Sequence, residues 1–519
     1  MVPKPTPSPL VEEPAEEGQT LPGITALPSE LDEELLRGVP ISTCLSGMGS
    51  HWSNAGSGRS GTSPKDNYKL SVKTEMLEHF LSHDWGTSRW LKYLSLLIIF
   101  NSKAALAACL LTSVAMSAIA VATVGEHRYW TILPGFAAWY ICLFYWQTIR
   151  SWLFQPSLVF LDKLCIAQHD SKLKEKGILG LASFLVHSRQ LTILWSPRYF
   201  TRLWCTYEIA TFLKNQRDQG DLRVMPVKMS VLLLLQMAYS QVFTLFYMLL
   251  LDTFWDVLSF LQTILVLCTI LIPTVLLLSY MQIWVGVGLM EEVSELPEQL
   301  ATFGVRKANC FCCSNDHCHP QTGEILPCDR ELVFQTLRKW YRQEDFGGEH
   351  AHLDTFDELV KTQLRQQVVE QLGTKYTLPF SYVACVVLSP TLAVLPYHIP
   401  SLVAGNGYAY LDENIRFGMR ELVECFKLVI LMFSSAWINM WSWKIGVRMR
   451  RSCCSSRMAI AAMLSPISVL LPLAMHLPLE ISFFLSEKDG ILPVLAFTAL
   501  VAVLGVMYFP PTRRCCRRK

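Results

Sequence analysis

Glu208 lies in the stretch Arg202-Leu203-Trp204-Cys205-Thr206-Tyr207-Glu208, where helical spacing sets its carboxyl over Trp204 and Cys205 and under Thr211 and Phe212. No Lys or Arg occupies those neighbouring positions, so the helix offers it no surface ion pair. A carboxylate on an aromatic face is partly desolvated, which raises its pKa and suits acid, base or electrostatic catalysis. A structural carboxylate bonded to loop amides would have the same spacing, and both readings stand. Ser82, His83 and Asp84 supply the three residue types of a nucleophilic relay, yet neighbours on an extended segment point to opposite faces and cannot form one. Asp84 reads as a loop cap, and Ser82 and His83 as lining of a crevice. Cys310, Cys312, Cys313, His317, Cys318, His319 and Cys328, next to Asp329, are a dense set of soft ligands of the kind that holds tetrahedral zinc. Their spacing matches none of the paired Cys-x-x-Cys patterns. A compact loop with buried thiols, or a juxtamembrane acylation site, are the alternatives.

The elements that would position these groups alternate between strand and helix. Met76–Leu81 reads as a short strand running into Ser82, His83, Asp84 and Trp85, and Leu158–Leu161 as a buried strand ending on Asp162. A polar loop (Lys163–Gly177), a helix (Ile178–Ser188) and a strand (Leu191–Trp195) follow. Ser196 and Pro197 fit the N-cap and first turn of a helix reaching Asn215, and Leu222–Val227 closes the series as a fourth strand. The pattern predicts an α/β fold with a parallel sheet, its crevice at the carboxyl ends of the strands.

The remainder is built for lipid. Of 519 residues, 51% are apolar and 17% charged, with a mean hydropathy of +0.30, too apolar for an ordinary soluble enzyme of this length. The net charge of +2 gives no global field for nucleic acid. About 20 apolar residues cross a bilayer, and that window predicts about eight transmembrane helices. They are Ala104–Val124, Tyr129–Ile149, Val231–Leu251, Val257–Tyr280, Leu378–Tyr397, Cys425–Val447, Met458–Leu477 and Ile491–Tyr508. The first apolar run starts too late for a cleavable signal. Arg448, Arg450, Arg451, Arg457 and the tail Arg513, Arg514, Arg517, Arg518 and Lys519 fall on one side of this arrangement, whereas Asp252, Asp256, Glu480, Glu487 and Asp489 fall on the other. Multi-pass membrane localisation with both termini cytosolic follows.

The expected organisation is a disordered cytosolic tail (1–70) and an α/β domain (71–228) split by a transmembrane hairpin (104–149). A second hairpin (231–280), a cytosolic Cys-rich and helical region (287–376), four transmembrane helices (378–508) and a basic cytosolic tail (509–519) follow. Ser88–Lys103 fits the domain's first helix lying on the membrane surface, with Arg89, Lys92 and Lys103 against headgroups. Cys453, Cys454, Cys515 and Cys516, among arginines at membrane edges, suit palmitoylation or remain free thiols.

Several motifs, in order, resemble a TIR domain: Phe80-Leu81-Ser82-His83-Asp84, Phe160-Leu161-Asp162, Ser188-Arg189, Trp195-Ser196-Pro197, Tyr199 and Trp204-Cys205-x-x-Glu208. The segment Leu161–Gln168 also resembles the heterokaryon-incompatibility domains of fungi, and the whole chain is similar to a multi-pass membrane family of algal protists. The resemblance implies a flavodoxin-like parallel sheet, signalling by self-association through the domain, and NAD as a substrate. It gives Glu208 the role of the glutamate that cleaves the nicotinamide–ribose bond, with Ser82, His83, Asp84, Asp162 and Trp204 lining the NAD crevice. The loop after Asp162 departs from the family pattern, carrying Cys165, Gln168 and His169 where a Pro-Gly turn is usual. Two other functions fit the composition. One is a transporter or channel with the domain as regulator, for which the spans offer few ionisable groups, Lys427 and His476 near span ends and the amides Gln236, Gln241 and Asn439. The other is a non-enzymatic membrane scaffold.

Overall fold

A computed structural model describes residues 32–53, 63–123, 129–215, 221–254, 272–318, 323–341, 350–372, 378–397, 411–453, 456–486 and 491–509, with isolated positions between. Its sheet has six strands: β1 (Arg37–Pro40), β2 (Val72–Lys73), β3 (Leu77–His83), β4 (Leu158–Phe160), β5 (Ser188–Trp195) and β6 (Asp221–Pro226). They lie in the order β2-β1-β4-β3-β5-β6. β3 pairs in parallel with both β4 and β5, and β5 with β6, whereas β1 is antiparallel to β4 and β2. The sheet is therefore mixed, not purely parallel. Strands covered on both faces read as near-continuous apolar runs, and β5 (Ser-Arg-Gln-Leu-Thr-Ile-Leu-Trp) is buried from Leu191 onward. Phe80 stands opposite Phe160 and Leu191. Its ring stacks on Phe160 at 4.5 Å, and Phe160 meets Phe184 at 4.5 Å. Burying each of these rings stabilises by about 1.5–3 kcal/mol.

Four expectations are corrected. The segment expected to be a disordered tail contributes β1, the turns of Ile41–Gly49 and the buried Trp52 to the domain; residues 1–31 and 54–62 lie outside the described residues. Ser88–Lys103 is not a separate surface helix: Arg89–Thr123 is one helix (α1) of 35 residues. Lys92 is fully buried, its Nζ 4.9 Å from the Trp85 ring and 5.8 Å from that of Trp52, rather than among headgroups. The helix expected from Ser196 starts at Leu203, because Tyr199–Thr201 is a 3-10 turn and Arg202 is extended, bridged to Asn309. The helix expected over Ile178–Ser188 is two, Ser171–Leu179 and Leu181–Val186, broken at Gly180.

After α1 come α2 (Leu133–Leu153), α3 (Leu203–Asn215), α4 (Val227–Phe254), α5 (Ile272–Val293), α6 (Asp329–Tyr341), α7 (Phe380–Ala393), α8 (Leu411–Cys453), α9 (Arg457–Leu485) and α10 (Ile491–Tyr508). Six helices among the described residues are long and apolar enough to cross a membrane: Arg89–Ala122, Val227–Phe246, Ile272–Ala301, Phe380–Tyr397, Arg457–Leu485 and Ile491–Tyr508. The chain is thus a multi-pass membrane protein by length and composition of its helices. Two expected spans, Tyr129–Ile149 and Cys425–Val447, fall on α2 and α8, which are helical but carry more Trp, Tyr and polar side chains. Most of 257–271, His319, Cys454, Asp256, Glu487, Asp489, Cys515, Cys516 and the basic tail lie outside the described residues. The α1–α2 pair is held by the Asn101 amide on the Leu143 carbonyl (2.8 Å) and the Gln147 amide on Asn101 Oδ1 (3.0 Å). A Cβ at Gly135 would sit 2.8 Å from Ser113 Oγ and 3.1 Å from Ala393 Cβ, the close approach that small residues allow between membrane helices.

Described residues between 287 and 372 pack onto the sheet domain. Trp340 stacks on Tyr207 at 5.7 Å, and the Tyr341 hydroxyl donates to the Ala210 carbonyl (2.8 Å). Gln371 closes the open edge of β6, accepting from Val224 N–H (2.7 Å) and donating to the Leu222 carbonyl (2.8 Å), so an exposed strand edge is blunted.

Candidate functional site

A cleft of about 590 Å³ opens beside the carboxyl ends of β3 and β4, bounded on one side by the start of α3. That volume is in the range of small-molecule sites. Leu81, Phe160, Ile166, Ile178 and Leu181 give it an apolar lining; His83, Trp85, Asp162, Trp204 and Glu208 supply aromatic and acidic groups; Lys163, Lys174 and Arg202 supply positive charge.

Glu208 is half-buried and reaches the cleft because α3 starts late, after the extended Arg202. Its carboxylate accepts the Ser82 hydroxyl, and Ser82 Oγ also pairs with the Tyr199 hydroxyl. With the Ser82 proton directed at Glu208, Tyr199 donates to Ser82, making a relay of two hydroxyls that ends on the acid. Burial pushes the Glu208 pKa up to about 8, with Asp162's charge adding to the rise, against the downward pull of the Ser82 hydrogen bond and of Arg202. A large fraction is therefore protonated at neutral pH.

Asp162 caps the cleft end of β4. It accepts the Trp85 indole N–H (2.8 Å) and the Lys163 backbone N–H (2.7 Å), and burial raises its pKa. His83 is held well below its ordinary pKa by burial and by the nearby positive charge of Lys92, so it is neutral. Trp52 and Trp85 meet its ring edgewise at 4.9 and 4.5 Å. Trp204 donates its indole N–H to Asp329 (3.3 Å). The Cys205 thiol is buried and points to the His83 carbonyl (3.5 Å); burial raises its pKa, which makes it an unreactive packing group.

Of the residues singled out from sequence, His83, Asp162, Trp204 and Glu208 line one cleft. Ser82 stands behind Glu208 and acts on it through a hydrogen bond. Asp84 faces elsewhere: fully buried, it accepts from Gly86 N–H (3.1 Å) and the Thr87 hydroxyl (3.3 Å) and pairs with Arg202 (3.1 Å) and Arg198 (3.7 Å). It is a loop cap that also anchors a cleft arginine, and it does not line the cleft itself. Trp85, Lys163, Lys174, Arg202 and Asn67 were not identified as site residues from sequence. Trp85 and Arg202 adjoin the motifs, which is the available signal; Asn67 falls in the segment expected to be tail.

The cysteine-rich loop forms a group that could hold a metal. The donor atoms of Cys310, Cys312 and Cys313 lie within 4.8 Å of one another, as do those of Cys312, His317 and Cys328. Cys313 and Cys328 sulfurs are 3.8 Å apart. Cys318, expected as a ligand, is exposed and belongs to neither group, since its backbone pairs with Ile325. The chain matches no family model, no curated protein and no solved structure.

Proposed function

We propose that this is a multi-pass membrane signalling protein whose sheet domain is TIR-like, self-associates and hydrolyses NAD, with Glu208 as its catalytic carboxylate. The observation that carries the reading is the cleft in which Glu208, bonded to Ser82, stands with two indoles and three cations. The four parallel strands favour it too. Counted from β3 they lie in the order second, first, third, fourth, the winding of flavodoxin-like sheets, in which ligands bind beyond the strands' carboxyl ends.

The chemistry follows from the lining. Arg202, Lys163 and Lys174 offer charge to a diphosphate, and Trp85 and Trp204 offer flat faces to the rings. In hydrolysis the bond from ribose C1′ to the nicotinamide nitrogen breaks, its electron pair leaves with the ring as neutral nicotinamide, and water adds to C1′ with loss of a proton. Ionised Glu208 stabilises the cationic ribose that develops, or holds its hydroxyls. The cationic nicotinamide ring arriving beside Glu208 itself favours the ionised form.

In the membrane, the proposal is eight crossings with both termini cytosolic: the six apolar helices plus α2 and α8. β3 and β4 are neighbours in one sheet, so the chain that leaves through α1 returns through α2. Arg450 pairs with Glu291 (2.9 Å) and Arg451 with Ser294 (2.8 Å), at the end of α5 nearest the sheet domain, as the positive-inside rule asks of a cytosolic domain. Zinc is the ion that a group of cytosolic thiols favours. Partners are the lipid bilayer and further copies of the domain, with no nucleic acid.

The test is nicotinamide release from NAD by the full chain in lipid nanodiscs, dilute and clustered at high density, with Glu208→Ala alongside. Release that rises on clustering and disappears in the variant is expected. Absence of turnover in both states removes the enzymatic reading and leaves a scaffold.

A further inference from the structure

The loop between Asn309 and Asp329 grips the cleft-bearing end of α3 at both of its own ends. At its start, Asn309 N–H donates to the Thr201 carbonyl (2.6 Å) and the Asn309 carbonyl accepts from Leu203 N–H (3.2 Å), so the backbone on either side of Arg202 is fixed. At its end, Asp329 accepts the Trp204 indole, and the Asp329 backbone N–H points at Cys312 Sγ (3.3 Å). Such N–H donors to a ligating sulfur are typical of the shell around a metal.

Apart from Leu326, the side chains by which this loop meets the apolar core are its cysteines. Phe311 is 57% and Ile325 86% exposed. Asp316 and His317 sit at φ of 50° and 57°, a left-handed backbone that non-glycine residues adopt at a cost. Sulfur fills the place of a core. Cys310 and Cys312 sulfurs are 3.0 Å apart, those of Cys313 and Cys328 3.8 Å, and Cys310 and Cys312 are buried. Four thiolates at about 2.3 Å from a zinc ion stand about 3.8 Å from one another.

We infer that an ion on Cys310, Cys312, Cys313 and Cys328 clamps this loop and thereby fixes Arg202 and Trp204 in the cleft wall. The clamp rests on the zinc reading above and requires no NAD cleavage. Small loops without a hydrophobic core fold on metal binding, and here the folded loop is what presents Asn309 and Asp329 to α3. Loss of the ion frees the Trp204 indole and the backbone beside Arg202, whose side chain Asp84 still holds, while leaving the sheet intact.

The experiment uses the full chain in nanodiscs. Elemental analysis is expected to find one zinc per chain, and cobalt exchanged into the site to give the sulfur-to-metal charge-transfer bands of a thiolate-rich tetrahedron. Cys312→Ser with Cys328→Ser abolishes both, whereas Cys318→Ser changes neither. Amide hydrogen exchange, read without nucleotide, is expected to quicken across Leu203–Glu208 when a chelator strips the ion and to slow again when zinc is restored, a reversible comparison that needs no variant. Asp329→Ala keeps the metal and loosens the Trp204 end. A chain that binds neither zinc nor cobalt overturns the metal site. A metal that leaves without altering exchange across Leu203–Glu208 overturns the clamp alone.

Discussion

Glu208 holds a proton that burial keeps in place until about pH 8, and two consequences can be measured. A cleavage that needs the ionised acid gives a kcat/KM that climbs with pH through the neutral range and levels above about 8, since that parameter reports the free enzyme. Ser82→Ala removes the hydrogen bond that favours the carboxylate, so the rising limb moves to higher pH. Stability has the opposite slope. The folded pKa lies above the unfolded value of about 4.3, so the stability linked to this proton is complete below about pH 4 and is lost progressively up to about 8. Glu208→Gln is therefore expected to raise the thermal midpoint more at about pH 8.5 than at about pH 5; an equal shift at both would argue against a buried, protonated acid. The neighbours of Glu208 along its own helix were legible, because three- and four-residue spacing is local. Its bond to Ser82 was not, because that contact spans 126 positions and depends on how β3 and α3 are brought together. Asp84 showed its capping role because its partners Gly86 and Thr87 are close in sequence.

β1, like the two-residue β2, is not marked by the sequence. Arg-Gly-Val-Pro is four residues, contains a strand-weakening glycine and ends in proline, so neither periodicity nor propensity marks it. Its glycine is required by close approach: a Cβ on Gly38 would lie 2.6 Å from Leu77 Cδ2 and 3.1 Å from Leu158 Cβ. Gly38→Val is expected to cost about 1–3 kcal/mol of stability by overpacking and to lower the thermal midpoint of the domain. It should also weaken the cleft, because Ser53, just beyond Trp52, holds the Lys163 ammonium at 2.9 Å. α1 was misjudged for a related reason. Arg89 and Lys92 in an otherwise apolar run suggest a surface helix, but Lys92 is buried, its Nζ without a hydrogen-bond partner among the described residues and its charge set against two indoles and within the field of Asp162 and Asp84. Lys92→Met keeps the packing and removes a desolvated charge, so it is expected to leave stability unchanged or raise it; a marked fall would show that the cation–aromatic contacts dominate. The four parallel strands, β3 to β6, are legible to within a few residues, since buried parallel strands announce themselves as short apolar runs.

Among the described residues one buried apolar cluster joins the sheet domain to membrane helices, and a second, smaller one lies between α8, α9 and α10. Hydropathy showed the membrane class because it is additive along the sequence, whereas α2 and α8 are ambiguous because their aromatic and polar residues dilute it. With the proposed topology, a single cysteine in place of Lys69 is labelled by an impermeant reagent only after the membrane is opened, and one in place of Leu133 is labelled from outside. Identical labelling of the two positions contradicts the crossing by α1. One cavity in the membrane bundle, about 90 Å³, is lined among the described residues by apolar groups and by Gln236, Tyr239, Ser240, Ser279, Ser435, Asn439 and Ser468, room for about three waters. Glu424, Lys427, His476 and Glu480 pair with one another. No ion current is expected in reconstituted bilayers. What remains to decide the function is whether the cleft turns NAD over at Glu208. The direct measurement is the initial rate of nicotinamide release by the clustered full chain and by Glu208→Gln, with NAD affinity determined on the same samples. Affinity preserved and a rate lowered by about a hundredfold or more is the expected result. A glutamine variant that cleaves NAD as fast as the native chain, or a native chain that binds NAD and releases no nicotinamide, contradicts it.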